Sequence, residues 1–380
     1  MDTRASAERP RRVAVVTGSR AEFGLLTPVM RAIEDRPELE LLVVAAGSHL
    51  VQPALTFRDV KALFPIADTV PMQVVGRVGR FEDVQAVGKG VSRFGRGFER
   101  LRPDWVVVLG DRIEAFAAAT AASIGGIALA HLHGGDVAEG VADEAMRHAI
   151  TKLAHLHLPA TEASAARIRR MGEPGERIVV VGSPAIDGLS AVEPLDDDRW
   201  AELGEPEVLL SFHPLGRTDE AEEHAAATLL EAVSDRRVVA LHPNFDPGRG
   251  GIMRALLSAP GTVRVVEHLK REAFVRVVKR LAGSGGVVLG NSSAGLIEVP
   301  ALGCASVDVG DRQAGREAAP SVVRLESEAV DAVRAAVRTA PERSGATHPF
   351  GDGTAGVRTA RALCDVDPFD PGVIRKRWSD

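Results

Sequence analysis

The sequence has few of the features that mark secreted, redox-active or membrane proteins. Only two of its 380 residues are cysteines, Cys304 and Cys364, and none is tyrosine. The cysteines match no metal or redox spacing, which favours two buried thiols in a reducing compartment. No apolar run approaches the ~18 residues of a membrane helix. The polar start MDTRASAERPRR lacks the apolar core of a signal peptide. We expect a cytoplasmic protein without a membrane partner.

A strong charge of either sign is also absent. The formal net charge is -6, the pI is about 6.0, and no block of like charges stands out. This balance predicts no nucleic-acid partner. Hydrophobic residues make up 45% of the chain and charged residues 26%, which is typical of a globular protein with sizeable cores. An anionic ligand would therefore need local positive groups for binding.

Short apolar runs alternate with longer amphipathic stretches along the whole chain. The first series of runs is RRVAVVTGS, LELLVVAAGS, WVVVLGDR, IALAHLHGG and RIVVVGSP. After the acidic stretch EPLDDDRW the pattern restarts with EVLLSFHP, RRVVALHPN, VRVVEHL, GGVVLGNSS and CASVDVGD. Alternating strands and helices predict parallel sheets with helices on both faces. The expected fold class is α/β, with two Rossmann-like doubly wound domains facing a cleft.

The predicted domains are residues 11–188 and 205–362, joined by a linker rich in Pro, Asp and Glu. We expect the tail, 363–380, to pack back on the N-terminal domain. Polar residues cluster just after the predicted strands. Because parallel α/β sheets bind ligands at the carboxyl ends of their strands, the cleft is the expected site.

Two turns in the first half carry candidate anion-binding residues. TGSRAEFG joins a strand to a helix, where backbone amides and Arg20 attract phosphate, although a surface arginine is the plainer alternative. It is not the dinucleotide fingerprint G-x-G-x-x-G. LGDR places Asp111 and Arg112 at a strand end, where an aspartate is also a common helix cap.

The segment from His131 to His157 is the densest polar stretch. His131 and His133 are metal-ligand types, but H-x-H alone is a weak signal, and we expect no metal. Asp143 and Arg147 stand four apart and would either form a surface salt bridge or join an acid/base cluster. Several titratable groups after one strand and two glycines favour the acid/base cluster.

The second half offers a phosphate-binding candidate. His213 and Asn244 follow strands and are positioned to reach the cleft, although a structural histidine is possible on this pattern. In LGNSSAGLIEVP, a strand ends at a turn whose hydroxyls and amides converge on an anion site. Its candidate residues, with the carboxylate that follows and two nearby arginines, are Asn291, Ser292, Ser293, Glu298, Arg312 and Arg316.

From TGSRAEFGLL to GDRQAGRE, these motifs together resemble the UDP-N-acetylglucosamine 2-epimerases. RHAITKLAH, the triplet GDR and GNSS-x-G-x-x-E-x-P are most similar to the hydrolysing branch that serves sialic-acid-type sugar synthesis. The resemblance implies a fold like that of GT-B glycosyltransferases, no cofactor, and a homodimer or homotetramer. It also implies UDP and UDP-N-acetylglucosamine as ligands, with UDP mainly on the second domain.

Site roles follow from the same resemblance. Arg20, Arg112 and His213 would lie near the diphosphate or sugar. Ser292, Ser293 and Arg312 would hold phosphates, Glu298 the ribose, and Asn291 belongs to the matching loop. Asp111 and Asp143 match the catalytic carboxylates. The full expected catalytic set is Asp111, His133, Asp136, Asp143, Arg147 and His213, and Asn244 joins the substrate-binding set.

One departure concerns the third acid/base group. The family commonly has a glutamate two residues after the histidine of an H-x-E-G-G motif, where this chain has His133, followed by Asp136. One residue is also inserted before Asp143. The sequence therefore leaves open whether His133 or Asp136 acts, and whether water or UDP completes the reaction.

The implied chemistry is elimination followed by addition. The C2 hydrogen of the sugar is not acidic, so UDP must leave before a carboxylate or imidazole removes it. Anti-elimination gives a 2-acetamidoglucal, and addition at C1 inverts C2. Water would release N-acetylmannosamine, whereas UDP would give UDP-N-acetylmannosamine. A UDP-sugar-dependent GT-B glycosyltransferase and a non-catalytic UDP-sugar sensor are the alternatives from other classes.

Overall fold

A computed structural model describes residues 9–52, 54–77, 79–137, 144–244, 246–345 and 348–376. The strands in these ranges are β1 (Arg11–Thr17), β2 (Leu39–Ala46), β3 (Ile66–Val70), β4 (Trp105–Leu109), β5 (Ala128–Leu132), β6 (Leu156–Leu158), β7 (Val208–Ser211), β8 (Val238–Leu241), β9 (Val263–Val266), β10 (Val287–Gly290), β11 (Ala305–Val309) and β12 (Val322–Leu325).

The helices in the same ranges are α1 (Arg20–Glu34), α2 (Phe57–Leu63), α3 (Arg80–Leu101), α4 (Ile113–Ile124), α5 (Glu144–Leu153), α6 (Glu162–Arg170), α7 (Asp197–Glu202), α8 (Asp219–Ala232), α9 (Arg249–Leu257), α10 (Arg271–Gly283), α11 (Glu298–Ala301), α12 (Val330–Thr339), α13 (Ala355–Asp365) and α14 (Pro371–Ile374). Among them, none combines the length and the apolar character needed to cross a membrane.

The chain folds as two compact units, each built on a six-stranded parallel sheet. The strand orders are β3-β2-β1-β4-β5-β6 and β12-β11-β10-β7-β8-β9. Each unit therefore repeats one order, third-second-first-fourth-fifth-sixth, which is the doubly wound Rossmann arrangement. The strand order reverses between β1 and β4 in unit 1 and between β7 and β10 in unit 2. Ligands bind such sheets at these points.

The central strands are apolar on both faces because helices cover both faces of each sheet. In β1, Val13 and Val15 pack into one core of unit 1, whereas Ala14 and Val16 pack into the other. Unit 2 has the same two layers of buried side chains. This burial explains why the strands form continuous apolar runs instead of alternating polar and apolar residues.

Two segments of the chain lie in units other than those expected from the sequence. Unit 1 continues to Asp187 and resumes at Phe350, so α13 lies in unit 1 although it falls inside the predicted domain 205–362. Its residues Ala360 and Leu363 pack in the core of unit 1. The segment expected as a linker belongs to unit 2, where Leu195 and Trp200 are buried in the core. In both segments, the apolar residues that pack into a core determine the unit to which the segment belongs.

The run RIVVVGSP does not form the expected strand. Ile178 makes an isolated bridge to His157, while the edge strand of the sheet is the three-residue β6. Val179 N–H still donates to the His157 carbonyl at 2.9 Å. The segment thus lies extended along the edge but turns away at Gly182 and Pro184, which cannot continue a regular ladder.

Candidate functional site

Three turns that follow adjacent strands of unit 1 carry the polar residues singled out in the sequence. Arg20 follows β1, Asp111 and Arg112 follow β4, and His133 and Asp136 follow β5. Since these three strands are neighbours and parallel, their carboxyl ends lie at one edge of the sheet. The topology of unit 1 thus places the turns that carry these five residues at the same edge of the sheet.

The first turn is organised by a buried glutamate that the sequence reading missed. Ser19 caps α1 by accepting from the Glu22 amide at 3.4 Å. Glu22 Oε2 accepts the Gly18 amide at 2.7 Å, so this amide already has a carboxylate partner. Burial and the nearby charge of Glu114 raise the pKa of Glu22 to about 8. The S-x-x-E spacing of a capping box was the available signal for Glu22.

Asp111 forms an ion pair with Arg147 of α5 through its Oδ2 atom. The Arg147 side chain is 8% exposed and that of Asp111 is 20% exposed, so this pair is not a solvated surface salt bridge. The alternative pairing of Arg147 with Asp143 concerns a residue outside the described ranges. The observed pair holds the Asp111 carboxylate at the end of β4, close to the sheet edge.

His131, a buried residue of β5, connects two elements that carry site residues. Its Nε2 lies 2.8 Å from the Gly110 carbonyl, which can only accept, so Nε2 carries the proton. Nδ1 lies 3.2 Å from the Thr151 hydroxyl of α5. Burial lowers the pKa of His131 to about 3, so the ring is neutral. Both ring nitrogens are hydrogen-bonded to protein groups, so His131 links the end of β4 to α5.

His133 and Asp136 form a hydrogen-bonded pair in the turn after β5. His133 Nδ1 lies 2.7 Å from Asp136 Oδ2, and its Nε2 lies 3.3 Å from the Ser183 hydroxyl. Ser164 Oγ donates to Asp136 Oδ1 at 2.7 Å. The backbone of His133 has φ = 59°, a left-handed conformation that few residues other than glycine adopt. The H-x-H pair thus diverges at the strand end instead of offering two ligands to one metal.

Arg112 pairs with a second glutamate that sequence reasoning missed. Its Nε and Nη2 lie 3.2 and 3.4 Å from the carboxylate of Glu114, which is fully buried in the first turn of α4. No spacing rule singles out Glu114, because its partners include turns that are distant in sequence. Within the described residues, no group of three or more His, Cys, Asp or Glu side chains is arranged to hold a metal.

In unit 2, His213 and Asn291 connect the ends of β7 and β10. The Asn291 side chain accepts the His213 amide at 2.7 Å and donates to the His213 carbonyl at 2.8 Å. The Asn244 amide donates to His213 Nδ1 at 3.3 Å, so the ring proton lies on Nε2. Burial and the charge of Arg312 lower the pKa of His213 to about 4. His213 is therefore a neutral N–H donor near pH 7.

The turn after β10 needs glycine at its first position. Gly290 has φ = 146°, and a Cβ atom there would stand 2.0 Å from the Ser211 carbonyl oxygen. The chain then passes Ser292, which is half-buried, and Ser293, which is exposed at the start of a short 3-10 turn. This turn presents hydroxyls at the point where the strand order reverses in unit 2.

Basic and acidic groups surround this turn. Arg312 Nη1 donates to the Asn291 carbonyl at 3.4 Å, and Gln313 Nε2 donates to the same carbonyl at 2.9 Å. Glu298 begins α11 and lies 3.4 Å from Arg271. Burial raises the pKa of Glu298 and Arg271 opposes that shift. Two of the predicted residues, Arg312 and Asn291, are thus in direct contact.

The chain is similar to known proteins over most of its length. A family model described as UDP-N-acetylglucosamine 2-epimerase matches residues 31–364. A UDP-N,N'-diacetylbacillosamine 2-epimerase (hydrolyzing) from Legionella pneumophila is 32% identical, and the match covers 96% of this chain and 98% of that protein.

Solved structures share the fold. The crystal structure of a UDP-GlcNAc 2-epimerase from Neisseria meningitidis, bound to UDP-GlcNAc, aligns with a TM-score of 0.78 and 19% identity, covering 93% of this chain and 100% of that one. A lipopolysaccharide outer core galactosyltransferase aligns with a TM-score of 0.53 and 13% identity, covering 93% and 99%. The expected fold class, two Rossmann-like α/β domains of the GT-B kind, is confirmed.

Proposed function

Because the chain belongs to the UDP-N-acetylglucosamine 2-epimerase family, we propose that it inverts carbon 2 of UDP-N-acetylglucosamine by eliminating UDP. One observation supports the proposed chemistry. The Asp111–Arg147 ion pair and the His133–Asp136 pair follow neighbouring strands, β4 and β5, at the ligand-binding edge of unit 1. Two carboxylates so placed suit a reaction that removes one proton and returns another.

The proposed elimination begins with the bond between C1 and the diphosphate oxygen. UDP departs with that electron pair, C1 becomes cationic in character, and the proton on C2 becomes removable. A carboxylate takes this proton while the C1–C2 double bond forms. In the second stage, the oxygen of water adds to C1 and releases its proton, and C2 receives a proton from the opposite face. Positive groups and N–H donors stabilise the charge on the departing diphosphate.

The greater exposure of its side chain favours Asp136 over His133 as the group that meets the sugar. The Asp136 side chain is 29% exposed, whereas that of His133 is 12% exposed and is engaged by Asp136 and Ser183. We assign His133 to holding Asp136 and Arg147 to holding Asp111. Asp143 keeps its proposed catalytic role from the family resemblance and lies outside the described residues.

We assign UDP binding mainly to unit 2. Ser292, Ser293 and Arg312 would bind the phosphates, and Glu298 would accept hydrogen bonds from ribose hydroxyls. His213 would donate from Nε2 to the diphosphate, because the ring is neutral and its Nδ1 already accepts from Asn244. This assignment makes His213 a hydrogen-bond donor instead of a proton acceptor.

Of the two outcomes for the intermediate, we propose hydrolysis. Support comes from the motifs RHAITKLAH and GDR and from the Legionella relative, whose name includes the hydrolysing reaction. The test is proton NMR of the protein with UDP-N-acetylglucosamine in deuterated water. We expect deuterium at C2 and accumulation of UDP and free N-acetylmannosamine. Deuterium at C2 with the UDP linkage intact would show the non-hydrolysing reaction, and no exchange at C2 would refute 2-epimerisation of this substrate.

A second substrate is favoured by the 32% identity to the Legionella protein, which is named for UDP-N,N'-diacetylbacillosamine. The same NMR assay with this 2,4-diacetamido sugar compares the two candidates directly. A larger kcat/KM for the diacetamido sugar would assign that substrate class while leaving the chemistry at C1 and C2 unchanged.

A further inference from the structure

Glu114 lies where three turns of unit 1 meet. It follows β4 in the chain and packs against the turns after β1 and β2. A Cβ atom on Gly18 would stand 2.6 Å from Glu114 Cβ, and one on Gly47 would stand 2.0 Å from Glu114 Oε1. Both turns therefore approach the Glu114 side chain as closely as glycine allows. A shift of this side chain would disturb the ends of β1 and β2 as well as its own helix.

The carboxylate of Glu114 holds one edge of the Arg112 guanidinium. Nε and Nη2 of Arg112 face the two carboxylate oxygens at 3.2 and 3.4 Å. The Arg112 side chain is 42% exposed while Glu114 is fully buried. The planar, two-contact geometry orients the guanidinium, since a fork-to-fork pair restricts rotation more than a single contact does. A partly exposed cation is thus oriented by a buried anion at the end of β4.

Glu22 lies close enough to Glu114 for the two charges to interact, and it is 4% exposed. Its Oε1 atom has no hydrogen-bond partner among the described residues, while Oε2 accepts the Gly18 amide. With a pKa raised to about 8, mainly by burial, Glu22 holds its proton near neutral pH. The carboxylate of Glu114 lies opposite Arg112.

Packing alone does not account for a carboxylate at this position. A methionine of similar volume would fill the space beneath Gly18 and Gly47, and replacing buried ion pairs by apolar side chains is often neutral or stabilising. What the charge adds is a defined orientation for Arg112. The charge of Glu114 therefore matters through its effect on Arg112 at the sheet edge.

We propose that Glu114 is a positioning residue that orients Arg112 toward the diphosphate as UDP leaves. This inference rests on the proposed elimination of UDP. Charge grows on the diphosphate oxygens only as the bond to C1 breaks, so an oriented guanidinium acts on the transition state more than on the bound substrate. Loss of Glu114 should therefore lower kcat and leave KM nearly unchanged.

A double-mutant cycle tests the coupling. Glu114→Gln keeps the shape and removes the charge, and Arg112→Ala removes the guanidinium. We expect Glu114→Gln to lower kcat about tenfold with KM changed less than about twofold. The double variant should have the kcat of Arg112→Ala alone, because Glu114 acts through Arg112. If Glu114→Gln does not fold, Glu114→Met takes its place in the cycle.

Asp104→Asn is the matched control. Asp104 precedes β4 at the opposite edge of the sheet, is 7% exposed, and pairs with the partly exposed Arg9 at 2.8 Å. The Asp104→Asn substitution should lower the unfolding temperature. Any effect that it has on kcat should be independent of Arg112→Ala, so that the double variant shows the product of the two separate effects. Multiplicative effects of Glu114→Gln and Arg112→Ala would overturn the positioning role. A wild-type protein without C2 exchange would instead refute the proposed function and the inference with it.

Discussion

Asp308 is a buried carboxylate with an unsatisfied oxygen. It lies at 5% exposure near the end of β11, and its Oδ1 has no hydrogen-bond partner in the described part of the chain. Arg324 stands 3.8 Å from Oδ2. Burial raises the pKa of Asp308 to about 6, and Arg324, Arg312 and Arg316 oppose the shift without cancelling it. An unfolded chain loses this proton near pH 4.

Asp308→Asn should therefore stabilise the protein in a pH-dependent way. Between about pH 4 and 6 the folded state binds more protons at Asp308 than the unfolded state does, so wild-type stability falls as pH rises through this window. Asparagine does not titrate. Its advantage over wild type should grow across the window and reach up to about 3 kcal/mol above it. Urea unfolding from pH 4.5 to 7.5 measures the difference.

The matched control for this prediction is Asp331→Asn, because the Asp331 side chain is 98% exposed. Its effect on the free energy of unfolding should stay well below that of Asp308→Asn at pH 7.5, because an exposed ion pair contributes little to stability. An Asp308→Asn advantage that is constant with pH, or that shrinks as pH rises, would contradict the assignment of the buried proton to Asp308.

At the scale of elements, α5 links the candidate site to the C-terminal tail. Arg147 of this helix holds Asp111. At its other end, Lys376 donates to the Thr151 and Ala154 carbonyls and to Glu173, which it meets at 2.6 Å. A lysine at the last carbonyls of a helix stabilises its C-terminus. The described part of the tail thus holds the helix that carries Arg147.

The buried partner of Lys376 is itself strongly held. Burial raises the pKa of Glu173, but hydrogen bonds from His157, Lys152 and Lys376 outweigh it and bring the pKa down to about 2. Glu173 is therefore ionised at any working pH. Removing Lys376 leaves this buried charge with two partners instead of three, which costs stability locally.

Lys376→Ala should loosen α5. We expect a loss of about 2 kcal/mol, faster amide exchange across Glu144–Leu153, and a lower kcat, because Arg147 then holds Asp111 less firmly. Hydrogen-exchange mass spectrometry with steady-state kinetics measures both effects. Lys279→Ala is the matched control, since Lys279 donates to the Ser190 and Val192 carbonyls in unit 2. Unchanged exchange in α5 would contradict the role of Lys376.

At the scale of the whole molecule, we propose that the two units have different roles in the reaction. Proton-transfer groups are assigned to unit 1, and the groups that bind UDP mainly to unit 2. A ligand that binds only the folded state stabilises it by about 2.7 kcal/mol at a hundredfold excess over its Kd. UDP should therefore raise the unfolding temperature of the full chain. A variant that impairs UDP binding should reduce this rise, whereas a variant that impairs only proton transfer should not.

Two variants separate the roles. Asp111→Asn should abolish C2 exchange and keep the UDP-induced rise in unfolding temperature. Glu298→Gln should reduce that rise, because a neutral amide accepts less strongly from ribose hydroxyls than a carboxylate does. Thermal unfolding with and without UDP, beside the deuterium assay, measures both. Full turnover by Asp111→Asn would refute its catalytic role, and an undiminished UDP effect in Glu298→Gln would remove Glu298 from the UDP site.

The sequence by itself determined the two parallel sheets and the strand ends that carry polar residues. Apolar runs of four to eight residues separated by amphipathic helices are a local pattern, since the central strands β1, β4, β7 and β10 are buried on both faces. Helix α1 begins at Arg20, because Ser19 is its cap. The motifs after β1, β4, β5, β7 and β10 were likewise visible without a structure.

Only the tertiary structure decided which residues are partners. Arg147 holds Asp111 across 36 positions, and Glu114 meets turns that begin at Gly18 and Gly47. Helix α13 returns to unit 1, and Lys376 donates to the Ala154 carbonyl. Both join segments more than 200 residues apart. Hydrogen bonds and buried charges act over a few ångströms in space, whereas sequence patterns report neighbours along the chain. The motifs therefore predicted where the chemistry lies, and the fold selected the groups that position it.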